Sequence, residues 1–329
     1  MIFLNTFGIA EIYYVYYNSL VPVYKSLYEI EPFFDYTKVV EVQWKRPNAR
    51  LEEIRRGTDE SPPVILVHGI DPNEIVGEWT NYKKYFVESW KRYLPEKYGL
   101  YIYIYPSLDV PLEETAHNLV EEVLRLSHEQ FGTERKFNFY AHSMGGLLLR
   151  YALQDKEFVK HVNKIIFAAT PHIGSPFADI ITINKRILSL RKDWDFIKSV
   201  LLGANIAGVF IQAPNYKYLV YGSTHSEIPN EVDFVNFAEI LERRFDVVVS
   251  NIAHTKPLSA TGLLILNALS AMIFLEGDFT VNDGMVPLVS ATAIGKSEVF
   301  KSFDHSDFIL GDIIINRAIE LFYNNVASN

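Results

Sequence analysis

Short apolar runs alternate, in the first half of the chain, with longer segments whose apolar residues recur every three or four positions. A continuous apolar run predicts a strand covered on both faces, and the longer spacing predicts a helix packed against a sheet. The predicted strands are 39–44, 63–67, 101–105, 137–140 and 162–169. This alternation predicts an α/β fold with a mostly parallel central sheet and helices on both faces.

The pattern changes in the second half. Helical spacing fills 175–215 and much of 226–277, with a predicted strand at 216–223 between them. Strand and helix patterns return at 298–303 and 309–326. Two long helical stretches inside an otherwise regular α/β pattern predict insertions that cover the sheet as a helical cap or lid.

The domain prediction follows from these changes of pattern. The main domain is predicted over 62–329, with cap insertions at about 176–215 and 226–277. Residues 1–61 are predicted to form an N-terminal extension, with a helix and a strand packed on the core. The extension is predicted to end in a polar linker over 45–61.

A serine lies between a predicted strand and a predicted helix, in the sequence FNFYAHSMGGLLLRYALQD. The strand ends just before Ser143, and Gly145-Gly146 marks the break that follows it. A tight strand-to-helix turn strains the serine backbone, so the residues two before and two after must be small. Ala141 and Gly145 meet that requirement. We therefore interpret Ser143 as a candidate nucleophile at a sharp turn.

The composition of the chain excludes several classes of partner and of catalytic site. The net charge of −9 argues against nucleic acid and anionic membranes as partners. The chain contains no cysteine, which excludes disulfides, thiolate metal sites and a cysteine nucleophile. The apolar N-terminus lacks the features of a signal peptide, so a cytoplasmic or peripherally membrane-associated location is expected. The uncharged run Leu258–Leu275 is interpreted as a buried or cap helix rather than a membrane span.

A serine hydroxyl becomes nucleophilic when a base takes its proton, and a carboxylate must orient that base. In a sheet of this kind, the acid and then the histidine follow the serine along the chain. His305 lies in a loop between the last predicted strand and the final helix, so it is the predicted base. Asp283, in an Asn-Asp-Gly turn, is the best candidate for the acid. The alternatives for the acid are Asp278, Glu276 and Asp304.

The negative oxygen of a tetrahedral intermediate needs two backbone N–H donors aimed at one point. One is predicted to come from Met144, directly after the nucleophile, and the other from Ile70, after the strand 63–67. Gly69 lets the backbone approach closely. Four further residues at predicted strand ends are expected to line the substrate site: His68, Gly69, His142 and His172.

The motifs AHSMGG, VHG, TPHIGSP, NDGMVP and DHSD occur in an order that resembles the bacterial lipases and esterases of the α/β-hydrolase superfamily. The resemblance covers about 62–175 and 216–325. It implies an Asp-Gly aspartate as the triad acid, an oxyanion hole after the His-Gly pair and after the serine, and a helical lid. It also implies a calcium-binding aspartate two residues after the histidine, where this chain has Asp307.

Together these features predict a serine carboxylic ester hydrolase of the carboxylesterase or triacylglycerol lipase type. No cofactor is expected to be required, with calcium as an option, and the expected partner is a small acyl ester or lipid, with peripheral contact at a lipid interface as a further option. The alternatives are a deacylase, thioesterase or amidase acting on a lipid-like molecule, and a non-catalytic lipid-binding protein.

Overall fold

The computed structural model describes residues 48–58, 60–70, 82–108, 110–132, 134–175, 214–241, 281–283, 285–302, 305 and 307–323. The central sheet contains seven described strands, β1 (Arg50–Arg55), β2 (Val64–Val67), β3 (Leu100–Ile104), β4 (Phe137–His142), β5 (Val162–Ala168), β6 (Phe234–Leu241) and β7 (Ser297–Ser302). The described α-helices are α1 (Glu88–Tyr93), α2 (Leu112–Leu126), α3 (Met144–Ala152), α4 (Lys156–Lys160), α5 (Leu288–Ala291), α6 (Asp307–Leu310) and α7 (Asp312–Tyr323). Wider π-helical turns, Tyr82–Val87 and Ser127–Phe131, precede α1 and follow α2.

The strand order across the sheet is β1-β3-β2-β4-β5-β6-β7. All neighbouring strands pair in parallel except β1 and β3, which are antiparallel. The central strand β4 therefore runs between β2 and β5, and the carboxyl ends of these three strands meet at one edge of the sheet. The predicted α/β-hydrolase fold, with its mostly parallel sheet between helices, is confirmed.

Two hydrophobic cores lie on opposite faces of the sheet. One contains Leu119, Leu147 and Phe158, so α2, α3 and α4 pack on that face. The other contains Trp90 and Ile315, which come from α1 and α7. Strands β2, β3 and β4 are buried along their whole length because both faces are covered.

The prediction of a polar linker over 45–61 is wrong where β1 forms. Its sequence, RLEEIR, contains few apolar residues because β1 is an edge strand that keeps much of its surface near solvent. Leu51 packs against the first core and donates its N–H to Glu122 of α2 at 3.1 Å. Ile54 packs against the second core, so two apolar side chains and polar pairing hold this edge strand, and two apolar residues are too few to give a strand pattern.

The predicted boundary of the second insertion, at about 226, is also wrong. Residues 234–241 form β6, which pairs in parallel with both β5 and β7. Both faces of β6 are covered over four successive residues, Asn236, Phe237, Ala238 and Glu239, which are all buried. Its sequence therefore lacks the alternation of apolar and polar residues that predicts a strand. The predicted strand at 216–223 is instead a 3₁₀ helix, Pro214–Tyr218, followed by a turn.

Several predictions fall outside the described residues. They concern the N-terminal helix and the strand 39–44, the bulk of both cap insertions, the run 258–275, and the alternative acids Asp278, Glu276 and Asp304. Within the part of the chain that the structure describes, no helix combines the length and the apolar character needed to cross a bilayer.

Candidate active site

Ser143 occupies a strained turn between β4 and α3. Its backbone angles, φ 53° and ψ −127°, lie where residues other than glycine are rare. The turn is held by its own backbone, since the Ser143 N–H donates to Ala168 O at 2.8 Å and Gly146 N–H donates to Ser143 O at 3.0 Å. These two bonds join β4 to β5 and close the first turn of α3. The hydroxyl is therefore presented from a rigid strand end.

The two glycines after the serine allow α3 to begin in direct contact with the neighbouring strand ends. A Cβ on Gly145 would lie 2.3 Å from the carbonyl oxygen of His68. A Cβ on Gly146 would lie 1.9 Å from Thr170 Oγ1. Any larger residue would push the helix away from the ends of β2 and β5. Small residues here therefore set the position of the serine turn within the sheet.

Asp283 and His305 are in contact through both side chain and backbone. The His305 ring donates from Nδ1 to Asp283 Oδ2 at 2.6 Å, and the His305 N–H donates to Asp283 O at 2.8 Å. The other carboxylate oxygen, Oδ1, accepts the N–H groups of Met285 and Val286 at 2.9 and 2.7 Å. Because Nδ1 carries the ring proton and donates it in the hydrogen bond to Asp283, Nε2 is unprotonated. Nε2 is therefore the ring nitrogen that can accept a proton.

His142 connects the serine turn to this pair. It precedes Ser143 directly, and its Nε2 lies 3.2 Å from the carbonyl oxygen of His305. The rings of His142 and His305 have centroids 4.7 Å apart. Since a carbonyl only accepts hydrogen bonds, Nε2 of His142 carries the proton. Ser143, His305 and Asp283 are all buried, and this contact brings the residue next to Ser143 against the His305–Asp283 pair.

His68, predicted to line the substrate site, makes its contacts inside the protein. Its Nδ1 lies 2.6 Å from Gly69 O, and its ring stacks on Tyr105 at 4.2 Å. It is fully buried, and burial lowers the pKa of His68 to about 3. The structure therefore gives His68 an internal set of partners, and its predicted contact with substrate stays a prediction.

His172 and Arg150 form a buried polar network behind the site. His172 donates from Nε2 to Asn236 Oδ1 at 2.8 Å, and Arg150 of α3 donates to His172 O at 3.1 Å. Arg150 also bonds the carbonyl oxygens of Ser226 and His225. Burial and the charge of Arg150 lower the pKa of His172 to about 3. These contacts tie α3 to the loop after β5 and to β6, and a direct contact of His172 with substrate also stays a prediction.

The segments that carry the two predicted oxyanion donors lie against each other. Met144 is the first residue of α3, and the first N–H groups of a helix have no partner within it. Ile70 follows His68 and Gly69, and the carbonyl of His68 contacts the first turn of α3 at Gly145. The geometry therefore brings the loop after β2 next to the start of the nucleophile helix.

The predicted calcium ligand, Asp307, is the first residue of the short helix α6. Its backbone carbonyl accepts the N–H of Gly311 at 2.7 Å, closing that helix. Calcium takes six to eight oxygen ligands, whereas the described part of the chain contains no group of three or more acidic, histidine or cysteine side chains able to hold a metal. The role of Asp307 as a calcium ligand therefore stays a prediction.

Sequence reasoning missed three residues that support the site: Tyr105, Arg150 and Asn236. A tyrosine at the end of a strand, a basic residue in a helix and an asparagine within an apolar run carry no pattern that separates them from ordinary fold residues. Only the topology, which places β3 beside β2 and β6 beside β5, brings Tyr105 to His68 and Asn236 to His172.

Comparison with known proteins agrees with this arrangement. Residues 59–213, slightly less than half of the chain, match the family model described as "Putative serine esterase (DUF676)". Among solved structures, the mature form of the Bacillus licheniformis lipase BlEst2 is similar at 18% identity, covering 83% of this chain and 97% of that one, with a TM-score of 0.50.

The Bacillus subtilis carboxylesterase CesB has 13% identity, 95% and 98% coverage of the two chains and a TM-score of 0.40. No curated protein sequence matches this chain. The family match spans the loop after β2 and the whole serine turn, whereas Asp283 and His305 lie beyond it. The match includes Ser143, and the sheet has the topology of the α/β-hydrolase fold, so over 59–213 the chain is similar to the family described as putative serine esterases.

Proposed function

We propose that this chain is a serine carboxylic ester hydrolase that works through an acyl-enzyme intermediate. The observation that carries the proposal is the 2.6 Å hydrogen bond between His305 Nδ1 and Asp283 Oδ2, beside a serine held in a strained turn. A histidine with one ring nitrogen fixed on a buried carboxylate has the tautomer that a general base requires.

The first half of the reaction forms the acyl-enzyme. Ser143 Oγ attacks the ester carbonyl while His305 Nε2 takes the hydroxyl proton, and the carbonyl oxygen becomes an oxyanion. The N–H groups of Ile70 and Met144 bind that oxyanion, as the loop-to-helix contact at Gly145 supports. The bond to the leaving alcohol then breaks, and the alcohol leaves with the proton held by His305.

The second half releases the acid. His305 takes a proton from water, which attacks the acyl carbonyl and forms a second tetrahedral intermediate at the same two N–H groups. The bond to Ser143 Oγ breaks, and the proton returns from His305 to the serine. Throughout the cycle, Asp283 orients the ring and stabilises its charged form. The products are a carboxylic acid and an alcohol.

The test is hydrolysis of a p-nitrophenyl ester by wild type, Ser143→Ala and Asp283→Asn. Loss of the nucleophile is expected to lower kcat by roughly 10⁴-fold or more, and loss of the acid by about 10³- to 10⁴-fold. Ser223→Ala is the matched control, because Ser223 Oγ also lies near a histidine, 3.1 Å from His225 Nε2, but not at a strained turn. This control is expected to keep wild-type activity.

A fluorophosphonate probe adds a direct assignment of the nucleophile. It is expected to label wild type at Ser143 and to leave Ser143→Ala unmodified. Modification of another residue, or more than a few per cent of wild-type kcat in Ser143→Ala, would overturn the proposal. Comparing an ester, a thioester and an amide of the same acyl group then separates an esterase from a thioesterase or an amidase. Esters of increasing acyl length distinguish a carboxylesterase from a lipase.

A further inference from the structure

Tyr105, directly after β3, contacts His68 in three ways. Its hydroxyl donates to the carbonyl oxygen of His68 at 2.8 Å, and its backbone N–H lies 3.4 Å from His68 Nε2. The phenol ring stacks on the imidazole, with centroids 4.2 Å apart and planes 24° from parallel. Both side chains are fully buried. One tyrosine therefore holds the backbone, the ring face and one ring nitrogen of His68.

These contacts decide which nitrogen of His68 carries the proton. Because the Tyr105 N–H faces Nε2, that nitrogen offers its lone pair, and the proton of the neutral ring is on Nδ1. Nδ1 then donates to the carbonyl of Gly69 at 2.6 Å. Burial keeps the ring neutral, since it lowers the pKa of His68 far below its ordinary value.

Holding the Gly69 carbonyl also fixes the direction of the next N–H. The carbonyl of Gly69 and the N–H of Ile70 belong to one planar peptide unit and point in opposite directions when the bond is trans. No peptide bond among the described residues is cis. The Ile70 N–H must therefore point away from the His68 ring. The Tyr105 hydroxyl holds the preceding peptide unit through the carbonyl of His68.

The same carbonyl also meets the nucleophile helix. A Cβ added to Gly145 would lie 2.3 Å from His68 O, so the loop after β2 is held between the Tyr105 hydroxyl on one side and the first turn of α3 on the other. Rotation of either peptide unit in this loop would break a buried hydrogen bond. The loop is therefore preorganised at the point where Ile70 approaches Met144.

We propose that Tyr105 is a positioning residue for catalysis: through His68, it fixes the orientation of the Ile70 N–H in the oxyanion hole. The inference rests on the proposed esterase function and on Ile70 as an oxyanion donor. Tyr105 acts indirectly: it contacts His68, and His68 bonds the peptide unit that carries the Ile70 N–H. Preorganised donors of this kind stabilise charge that develops only in the transition state.

Tyr105→Phe removes one oxygen atom and keeps the stacked ring. The chain offers a close control in Tyr103, which is also fully buried and stacks on Tyr105 with centroids 5.6 Å apart. Its hydroxyl lies 2.8 Å from Thr115 O and 2.9 Å from Asn118 Oδ1, so it bonds helix α2 and not the loop after β2. Each Phe variant therefore removes a buried hydroxyl that bonds a backbone carbonyl, but only one of them touches the oxyanion loop.

Tyr105→Phe is expected to lower kcat by roughly 10- to 100-fold and to leave KM within about threefold of wild type. This loss of kcat is smaller than the roughly 10²- to 10³-fold loss that is typical when an oxyanion donor is removed. Tyr103→Phe is expected to keep kcat within about twofold, with a similar fall in Tm. A trifluoromethyl ketone, whose serine adduct carries an oxyanion, should bind Tyr105→Phe more weakly by the same factor as kcat/KM falls. Equal kcat in the two variants, or unchanged binding of the ketone, would overturn the inference.

A second variant covers the case in which Tyr105→Phe does not fold. His68→Phe keeps an aromatic ring next to Tyr105 but removes the donor to Gly69, and an equal or larger loss of kcat is expected. If it keeps kcat within twofold, the positioning role is wrong. The outcomes for Ser143→Ala separate this inference from the proposed function. If that variant is inactive while Tyr105→Phe behaves like Tyr103→Phe, the esterase stands and only the positioning role fails.

Discussion

The ring of His142 donates a hydrogen bond to the backbone carbonyl of His305 at 3.2 Å and packs against the His305 ring, with centroids 4.7 Å apart. Burial, aided by the neighbouring His305, holds the pKa of His142 well below its ordinary value, so the ring stays neutral. The residue next to the nucleophile thus fixes the backbone of the proposed base. Asp283 fixes the same residue from the other side, through the His305 ring and N–H.

The first prediction tests this contact with two variants. His142→Phe keeps a ring beside His305 but removes the N–H donor, and kcat for an ester substrate is expected to fall by about tenfold or more because the base is no longer aligned. His142→Gln retains an N–H donor and is expected to recover most of that loss. If Phe and Gln give the same kcat while both proteins remain folded by circular dichroism, the hydrogen bond does not position the base.

The second prediction concerns the glycine pair behind the serine. In Gly146→Ala, the new methyl would overlap Thr170 Oγ1 at 1.9 Å and Thr170 Cγ2 at 2.6 Å. Overpacking of this kind typically costs about 1–3 kcal/mol of folding free energy. Thr170→Ala removes these two closest atoms and leaves Thr170 Cβ, at 2.8 Å, so the double variant is expected to be more stable than the sum of the single changes by about 1 kcal/mol or more. Urea unfolding of the four proteins measures that coupling.

Gly145→Ala is the control for this cycle. Its methyl would meet the backbone oxygens of His68 and Val67, at 2.3 and 2.7 Å, which no side-chain substitution removes. Thr170→Ala is therefore not expected to restore any of the unfolding free energy that Gly145→Ala loses. If Thr170→Ala relieves both glycine variants equally, the contact between Gly146 and Thr170 does not set the position of the turn.

Much of the candidate site could be predicted from the sequence because its signals are local. The small residues around Ser143 and the Asn-Asp-Gly turn at Asp283 are short-range features, and the chain order of serine, acid and histidine follows from the sheet topology. The fold class was predictable for a similar reason, since strands β2 to β5 keep a regular alternation with their helices.

The incorrect predictions have identifiable physical causes. In β6, the residues 236–239 are buried whatever face they occupy, so the segment VDFVNFAEIL shows no two-residue alternation and also fits a helical spacing. The edge strand β1 has too few apolar residues to produce a strand pattern. The segment Pro214–Tyr218 has the aromatic composition of a strand, yet Asn215 within it bonds the carbonyls of Ser107 and Val110 and anchors a 3₁₀ turn.

The hydrogen-bond partners of the histidines could not be predicted from the sequence either. Their position at predicted strand ends was visible, but their partners were not. His68, His142 and His172 find acceptors at Gly69, His305 and Asn236, two of which are distant in sequence. Whether a polar side chain at a strand end faces a ligand or the interior depends on the neighbouring strand, which a single sequence does not specify.

The last prediction follows from these buried neutral rings. Burial lowers the pKa of both His68 and His172 to about 3, against about 6.5 in an unfolded chain. Between those values the unfolded chain binds the two protons and the folded protein does not. Stability is therefore present in full above pH 6.5 and is lost as the pH falls from 6.5 toward 3.

Each such histidine is expected to lower the free energy of unfolding by about 1.4 kcal/mol per pH unit, and the two together by about 2.7 kcal/mol per unit, once the unfolded rings are mostly protonated near pH 5.5. Urea unfolding at several values between pH 5 and 6 measures the total slope, to which His142 and His225 add, because burial also lowers the pKa of each of these rings. His172→Gln removes one titrating ring and should reduce the slope by about 1.4 kcal/mol per unit, however much it changes stability at pH 7. Tyr103→Phe loses a buried hydroxyl but no histidine, so it should be less stable with an unchanged slope. If His172→Gln keeps the wild-type slope, His172 is protonated in the folded protein, and its bond to Asn236 does not hold a neutral ring.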